Sequence, residues 1–175
     1  MNYRAHKIGG TCSGIIASAL LFADNPSVLN IVSSLLIISG ASLGSIMPDI
    51  DKPTSKVGRN IFINPLSKVI HKQFGHRTIT HSVILSVLFL SILVASSYMY
   101  KDIPFYFYSN FTIGFSVGYL SHLLLDALTV EGIPLFYPFS KRKYRFMKFR
   151  TSKHENLVST LCLVATGFLL YLIIK

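Results

Sequence analysis

Five stretches of this chain contain no Lys, Arg, Asp or Glu: 8–23, 25–48, 78 to just before Lys101, 103–125 and 156–174. A helix needs roughly 20 consecutive apolar residues to cross the hydrocarbon core of a bilayer, and four of the five reach that length. Only 14% of the 175 residues are charged, against about 25% in ordinary globular domains. That deficit excludes a disordered chain, a coiled coil and a highly charged soluble domain. The expectation is a single membrane-embedded domain over 1–175, all-α, an integral bundle of about five transmembrane helices. The first stretch is the shortest. With Arg4 and Lys7 ahead of it, it has some of the look of a signal peptide, but Gly9, Gly10, Ser13 and Gly14 interrupt its apolar core and fit a buried bundle helix better. Three stretches carry small residues four apart, Gly10/Gly14, Gly40/Gly44 and Gly114/Gly118, a spacing that lets helix backbones approach closely in lipid.

The charges orient the bundle. Of 17 Lys and Arg, Arg4 and Lys7 precede the first stretch. Lys52, Lys56, Arg59, Lys68, Lys72 and Arg77 lie between the second and third. Lys141, Arg142, Lys143, Arg145, Lys148, Arg150 and Lys153 lie between the fourth and fifth. Only Lys101 and Lys175 fall on the other side. The positive-inside rule then places the N-terminus and both basic loops in the cytoplasm of an inner membrane, and the C-terminus outside. It also accounts for the net charge of +10 as contact with anionic headgroups rather than nucleic acid, so membrane lipids are expected partners and nucleic acid is not. In the first basic loop Asn64 can cap a helix with Pro65 at its first turn. Leu66, Val69, Ile70 and Phe74 then recur at helical spacing opposite Lys68 and Lys72, which predicts an interfacial helix. In the second, Phe136, Tyr137, Phe139, Tyr144, Phe146 and Phe149 alternate with basic residues, as headgroup anchors do. The outer connections, Asp24 to Ser27 and Lys101 to Pro104, are short. Cys12 and Cys162 lie in apolar runs and make no zinc motif, so they read as small hydrophobes.

Against this background the ionisable residues stand out. His6 opens the first stretch. Asp49 and Asp51 close the second, His76 and His81 open the third, His122 and Asp126 close the fourth, and Glu155 opens the fifth. All eight fall at the cytoplasmic ends. Any one alone would read as a cap or a solvated rim residue. Together they place four imidazoles and four carboxylates in one layer, where charge is costly unless paired. These are the usual ligands of zinc, manganese and related ions. His122 and Asp126 share a helix face. His76 and His81, five apart, need a turn between them to converge. With Asp49 and Asp51, one carboxylate can bind metal while the other bridges or orients a histidine. His71 and His154, among basic residues, read as surface groups.

In this order, an N-terminal His6, Pro48-Asp49-x-Asp51, His76-Arg77-x-x-Thr80-His81-Ser82 and Gly118-x-x-Ser121-His122-x-x-x-Asp126 resemble the YdjM family, over most of the chain from His6 to about Glu155. The resemblance implies a membrane-bound, metal-dependent hydrolase, of a family with some members under control of the LexA repressor. The family's Thr-Gly-x-x-x-Glu near the last helix has its nearest counterpart in Thr151-Ser152-Lys153-His154-Glu155, which carries an acid one position early and lacks the glycine. A more distant likeness of ligand pattern, to zinc-dependent phospholipase C and related nucleases, makes phosphoester hydrolysis the leading reaction.

Eight ligand-type residues exceed what one tetrahedral zinc needs, so two or three zinc ions are expected, with manganese as the alternative. Asp49, Asp51, His76, His81, His122 and Asp126 would form the core of the site, and His6 and Glu155 would complete it. A divalent ion can bring the pKa of a bound water down to about 7. Asp51 is expected to bridge or orient, Glu155 to be a ligand or the general base, and Arg77 to hold a phosphate by two hydrogen bonds or else anchor a headgroup. A phospholipid or another lipid-linked phosphate or ester, reaching the site laterally, is the expected substrate. The competing expectations are a divalent-metal transporter and a non-catalytic membrane protein with a structural metal. The Lys-x6-Arg-Pro and Pro-Ser-Gly-His of phosphatidic-acid phosphatases and the Gly-x-Ser-Gly of intramembrane serine proteases are both absent.

Overall fold

Glycine spacing sets the central crossing. The computed structural model describes residues 1–23, 27–99 and 103–174. It contains six α-helices: α1 (Tyr3–Phe22), α2 (Val28–Gly44), α3 (Asn64–Phe74), α4 (Val83–Met99), α5 (Ile103–Ala127) and α6 (Thr151–Ile174). Two 3-10 turns, Met47–Asp51 and Ile79–His81, follow α2 and precede α4. Most of the two outer connections, and with them Lys101, lies outside the described residues, as does Lys175. Among the described residues there is no strand. Two isolated bridges, Thr129 with Phe149 and Ile133 with Tyr144, close the loop between α5 and α6.

The most extensive helix pair is α2 with α5. A methyl group on Gly114 or Gly118 would overlap the carbonyls of Ile37 or Ala41, and one on Gly40 or Gly44 the carbonyls of Phe111 or Phe115. Two small-residue faces therefore meet with backbone on backbone, which is how helices pack tightly where lipid gives no hydrophobic drive. Gly10 and Gly14 bring α1 onto the other side of α2, against Ser45 and Ala41. Asn110 donates to Ser33 across the pair at 3.3 Å, and Ser33 donates to the Tyr106 hydroxyl at 3.1 Å. Outside this core α6 lies along α1 and α4 along α5. Cys12 and Cys162 are free thiols, the first buried.

The segments Val28–Asp51 (mean hydropathy 1.7) and Lys153–Ile173 (2.0) are long and apolar enough to cross a membrane. The outer surfaces of α4 and α6 expose Val87, Leu88, Ile92, Leu161, Val164, Phe168 and Leu172, the kind of apolar surface that marks a membrane or partner interface. The expected helix in the first basic loop is α3, with Leu66, Val69 and Phe74 exposed. Asn64 does not cap it through its side chain. Its amide donates to the Gly58 carbonyl at 2.7 Å instead, closing the preceding loop, and Ile63 stands at the cap position.

This arrangement brings the start of α1, the end of α2, the segment before α4, the end of α5 and the start of α6 to one end of the bundle. Met1 and Ala5, Leu125 and Val158 form a small apolar cluster there.

Candidate metal centre

The tight α1–α2–α5 packing stacks two histidines. The His6 and His122 rings lie 3.6 Å apart at 12°. His122 Nδ1 donates to the Ser45 carbonyl at the end of α2, at 2.7 Å. A carbonyl can only accept, so the ring's proton sits on Nδ1 and Nε2 keeps its lone pair. That nitrogen lies 3.2 Å from His81 Nε2 and 3.6 Å from Asp126 Oδ2. His81 Nε2 lies 3.4 Å from the same oxygen.

The segment from 75 to 81 folds as it does because of its turns. Gly75, at φ 78°, ends α3, and Arg77 takes φ 58°. A left-handed conformation costs a non-glycine residue about 1–2 kcal/mol. Arg77 regains this by pointing its N–H at Asp51 Oδ2, at 2.9 Å. The 3-10 turn that follows supplies Thr80, whose hydroxyl donates to the same oxygen at 2.6 Å, and His81, whose Nδ1 lies 3.2 Å from it. His76 Nδ1 bonds Asp51 Oδ1 at 2.7 Å. Asp51 is thus fully buried and occupied on both oxygens. It holds two imidazoles by Nδ1, the pattern by which a carboxylate orients histidine ligands. Two structural supports escape the sequence reading. His71, exposed as expected, donates from Nδ1 to the Asp51 carbonyl at 2.8 Å. Tyr119 donates its hydroxyl to the Thr80 carbonyl.

Three groups have ligand atoms within 4.8 Å of one another: His6, His122 and Asp126; Asp49, His81 and His122; and Asp49, Asp51 and His76. They share members, so seven of the eight expected ligands form one connected cluster. Among the described residues neither nitrogen of the fully buried His6 finds a hydrogen-bond partner, although Nε2 is 3.3 Å from Asp126 Oδ1. A buried imidazole nitrogen without a hydrogen bond is a costly arrangement that a bound cation would relieve. The donor set of imidazole and carboxylate suits zinc or manganese. Glu155 belongs to none of the three groups, and its carboxylate accepts from the Asn2 amide at 2.5 Å.

Arg77 is committed differently from the expectation of a free phosphate clamp. Its Nη2 bonds Asp126 Oδ1 at 3.1 Å, and its Nη1 bonds Glu131 Oε2 at 2.8 Å and Thr129 Oγ1 at 3.4 Å. The amine of Met1 also donates to Asp126. Thr129 is buried and Glu131 exposed. The sequence carries a signal for Glu131, the only acid in 128–150. It carries none for Thr129, an ordinary residue past a helix end. Beside the cluster opens a cleft of about 470 Å³, lined by Asp49, Lys52, Lys56, His76, Arg77 and Glu131 among others. It is the route by which Asp49 and His76 meet solvent.

The comparisons with known proteins concern the family and its membrane location. The family model described as "YdjM inner membrane protein" matches residues 1–174. A Bacillus subtilis protein named "Uncharacterized protein YvsG" is 33% identical over 174 residues, 99% of this chain and 96% of its own length. The proteins named "Inner membrane protein YdjM" from Escherichia coli and Shigella flexneri are each 33% identical over 127 residues, 73% of this chain and 61% of theirs. No solved structure matches. With its His/Asp cluster on a small helical bundle and a family match along nearly its whole length, the chain belongs to the YdjM family of inner membrane proteins.

Proposed function

We propose that this protein is a membrane-embedded, metal-dependent hydrolase, a phosphoesterase that acts on a phospholipid or another lipid-linked phosphate or ester at the cytoplasmic face. The observation that carries the reading is the buried convergence of His6, His122 and Asp126 around a His6 ring without a hydrogen bond. In this reading α1, α2, α4, α5 and α6 span the bilayer, and α3 lies at its surface on Leu66, Val69 and Phe74. The exposed Phe139, Phe146 and Met147 among the basic residues of the second loop support a membrane-facing rim. The N-terminus and both basic loops face the cytoplasm, as the distribution of Lys and Arg requires.

His6, Asp49, His76, His81, His122 and Asp126 would hold two or three divalent cations, zinc or manganese. Bound there, such ions supply Lewis-acid polarisation of the substrate and an activated water. Asp51 acts as a positioning residue, holding His76 and His81 in the tautomer that offers Nε2. Arg77 ties the deep carboxylate of Asp126 to the cleft. Glu155 holds Asn2 at the cleft wall. Transport is the weaker reading, because transporter sites lie near the membrane midplane between broken helices, whereas this cluster sits at helix ends.

The test is elemental analysis of the purified full-length protein in detergent, followed by assays on phospholipids and soluble phosphodiesters. The expected result is about two ions per chain, with hydrolysis abolished by a chelator and by His122→Ala in protein that still folds. A chain that takes up no zinc or manganese, or that moves metal into liposomes without hydrolysing any ester, would overturn the reading.

A further inference from the structure

We propose that the cleft beside the His/Asp cluster is a phosphate-binding subsite in which Glu131 holds the Arg77 guanidinium until a phosphate group takes its place. The argument starts from unused positive charge. Lys52 and Lys56 line the cleft with Arg77, and among the described residues neither lysine forms an ion pair with a carboxylate. Lys56 instead lies 4.4 Å above the Tyr3 ring, a contact that leaves its ammonium group free to meet an anion.

Arg77 adds the buried element. Its side chain is only 9% exposed, and its Nε is buried without a hydrogen-bond partner. Its inner nitrogen, Nη2, is fixed on Asp126, and its outer nitrogen, Nη1, is taken by Glu131 at 2.8 Å. The two ends of that outer pair differ: the guanidinium is enclosed, while the Glu131 carboxylate is 69% exposed. An exposed carboxylate leaves an ion pair at little cost, because water solvates it again. The outward Nη1 can donate to a phosphate oxygen as it now donates to the Glu131 carboxylate. Glu131 therefore occupies the position that an incoming oxyanion would take.

The charge count selects a phosphate over a carboxylate. Three cationic side chains converge on the cleft, and a phosphate monoester brings up to two charges and three oxygens, where a carboxylate brings one charge and two oxygens. Asp49 also faces the cleft and would repel an anion. It belongs to two of the groups able to hold a cation, and a cation loaded there reverses its effect. Through that residue alone the inference rests on the proposed metal-dependent reading.

The experiment titrates inorganic phosphate into the full-length protein by calorimetry, with metal content measured on the same samples. The expected result is binding that tightens about tenfold in Glu131→Gln and weakens about tenfold in the Lys52→Gln/Lys56→Gln double variant, each equivalent to about 1.4 kcal/mol. All three substituted side chains are exposed or solvent-facing, so folding is not at stake. Nanodiscs containing phosphatidate, compared with phosphatidylcholine alone, then separate the two sources of the same chemistry. Displacement of inorganic phosphate by phosphatidate identifies a lipid headgroup, and its failure identifies a soluble phosphate ester. Phosphate that does not bind, or binds with an affinity unmoved by either variant, overturns the subsite. If metal is present in that case, the hydrolase reading stands without it. If no metal binds but phosphate affinity still follows Glu131 and the two lysines, the hydrolase reading falls and the subsite stands.

Discussion

The inner and outer parts of the cluster carry the same ligand chemistry in opposite surroundings. His6, His122 and Asp126 are enclosed between α1, α2 and α5, the carboxylate side chain only 1% exposed. Asp49 and His76 stand at the cleft, with 27% of the His76 side chain open to solvent. His81 lies between the two, against His122 and Asp126 on one side and Asp51 on the other, and Asp51 in turn holds His76. A charge in the inner part has no water to fall back on, so each group there depends on the others for its solvation. A charge at the cleft can be hydrated when a partner is lost. The inner part therefore bears on the fold as well as on the proposed metal centre, and the outer part on the proposed centre alone. Substitutions at the two positions separate these roles.

The largest effect is expected at Asp126. One carboxylate meets Arg77, His6, His81 and the Met1 amine. Asp126→Asn keeps the shape and removes the charge, which leaves the enclosed guanidinium with only the solvent-exposed Glu131 as counter-ion. Breaking one partner of a buried pair costs about 3–5 kcal/mol. Thermal unfolding of the metal-free variant in detergent should fall accordingly, and metal uptake should be lost. A variant as stable as the wild type would mean that the inner cluster does not hold the bundle together, and the contrast would collapse.

Asp51→Asn should come next. It has no net role as a buried counter-ion to arginine, but it fixes the Nδ1 of His76 and of His81. An amide presents one acceptor and one donor where the carboxylate presents two acceptors, so one imidazole must turn. Loss of such an orienting carboxylate lowers metal affinity about 10–100-fold. Competition with a calibrated zinc chelator reads this directly. Unchanged affinity would show that the turns, rather than Asp51, position the two histidines.

His76→Ala sharpens the comparison from the other side. Its ring is partly solvated and its removal exposes Asp51 to water instead of stranding it. Stability should change by about 1 kcal/mol or less, while the metal-to-protein ratio falls. A large loss of stability would place His76 with the inner group, whatever its exposure.

The sequence made much of this legible, and for identifiable reasons. Glycines four apart can be read because backbone contact in lipid leaves few other uses for them, and all three pairs lie at the α1–α2–α5 crossings. His122 and Asp126 can be read because helical periodicity puts them on one face without any tertiary information. The convergence of His76 and His81 depends on an arginine in a left-handed conformation, which no local pattern announces, since glycine or asparagine is the usual occupant. The pairing of Arg77 with Glu131 was hidden for a different reason. It joins two loops 54 positions apart in the chain, and each residue taken alone reads as a solvated charge. The side-chain role of Asn64 was missed because a cap and a loop clasp use the same residue type in the same place.

The smallest effect is expected at Glu155, and it tests how far the cluster extends. The family pattern places an acid within one position of it, yet this side chain lies outside every group of converging ligand atoms and is engaged by Asn2. Asn2 lines the cleft, so Glu155 touches the site at one remove. In Glu155→Gln the side-chain oxygen can still accept the Asn2 amide, so the wall should keep its shape. Stability should move by about 0.5 kcal/mol or less, and metal content should stay at the wild-type ratio. Activity then decides what the acid is for. If turnover survives with metal intact, Glu155 is a wall residue and the missing glycine beside it marks a real departure of this chain. If turnover falls and its pH profile loses a limb while metal content holds, the carboxylate moves protons during the reaction. If metal itself is lost, the cluster closes around α6 as well, and the boundary between the enclosed and the open ligands has to be redrawn one helix further out.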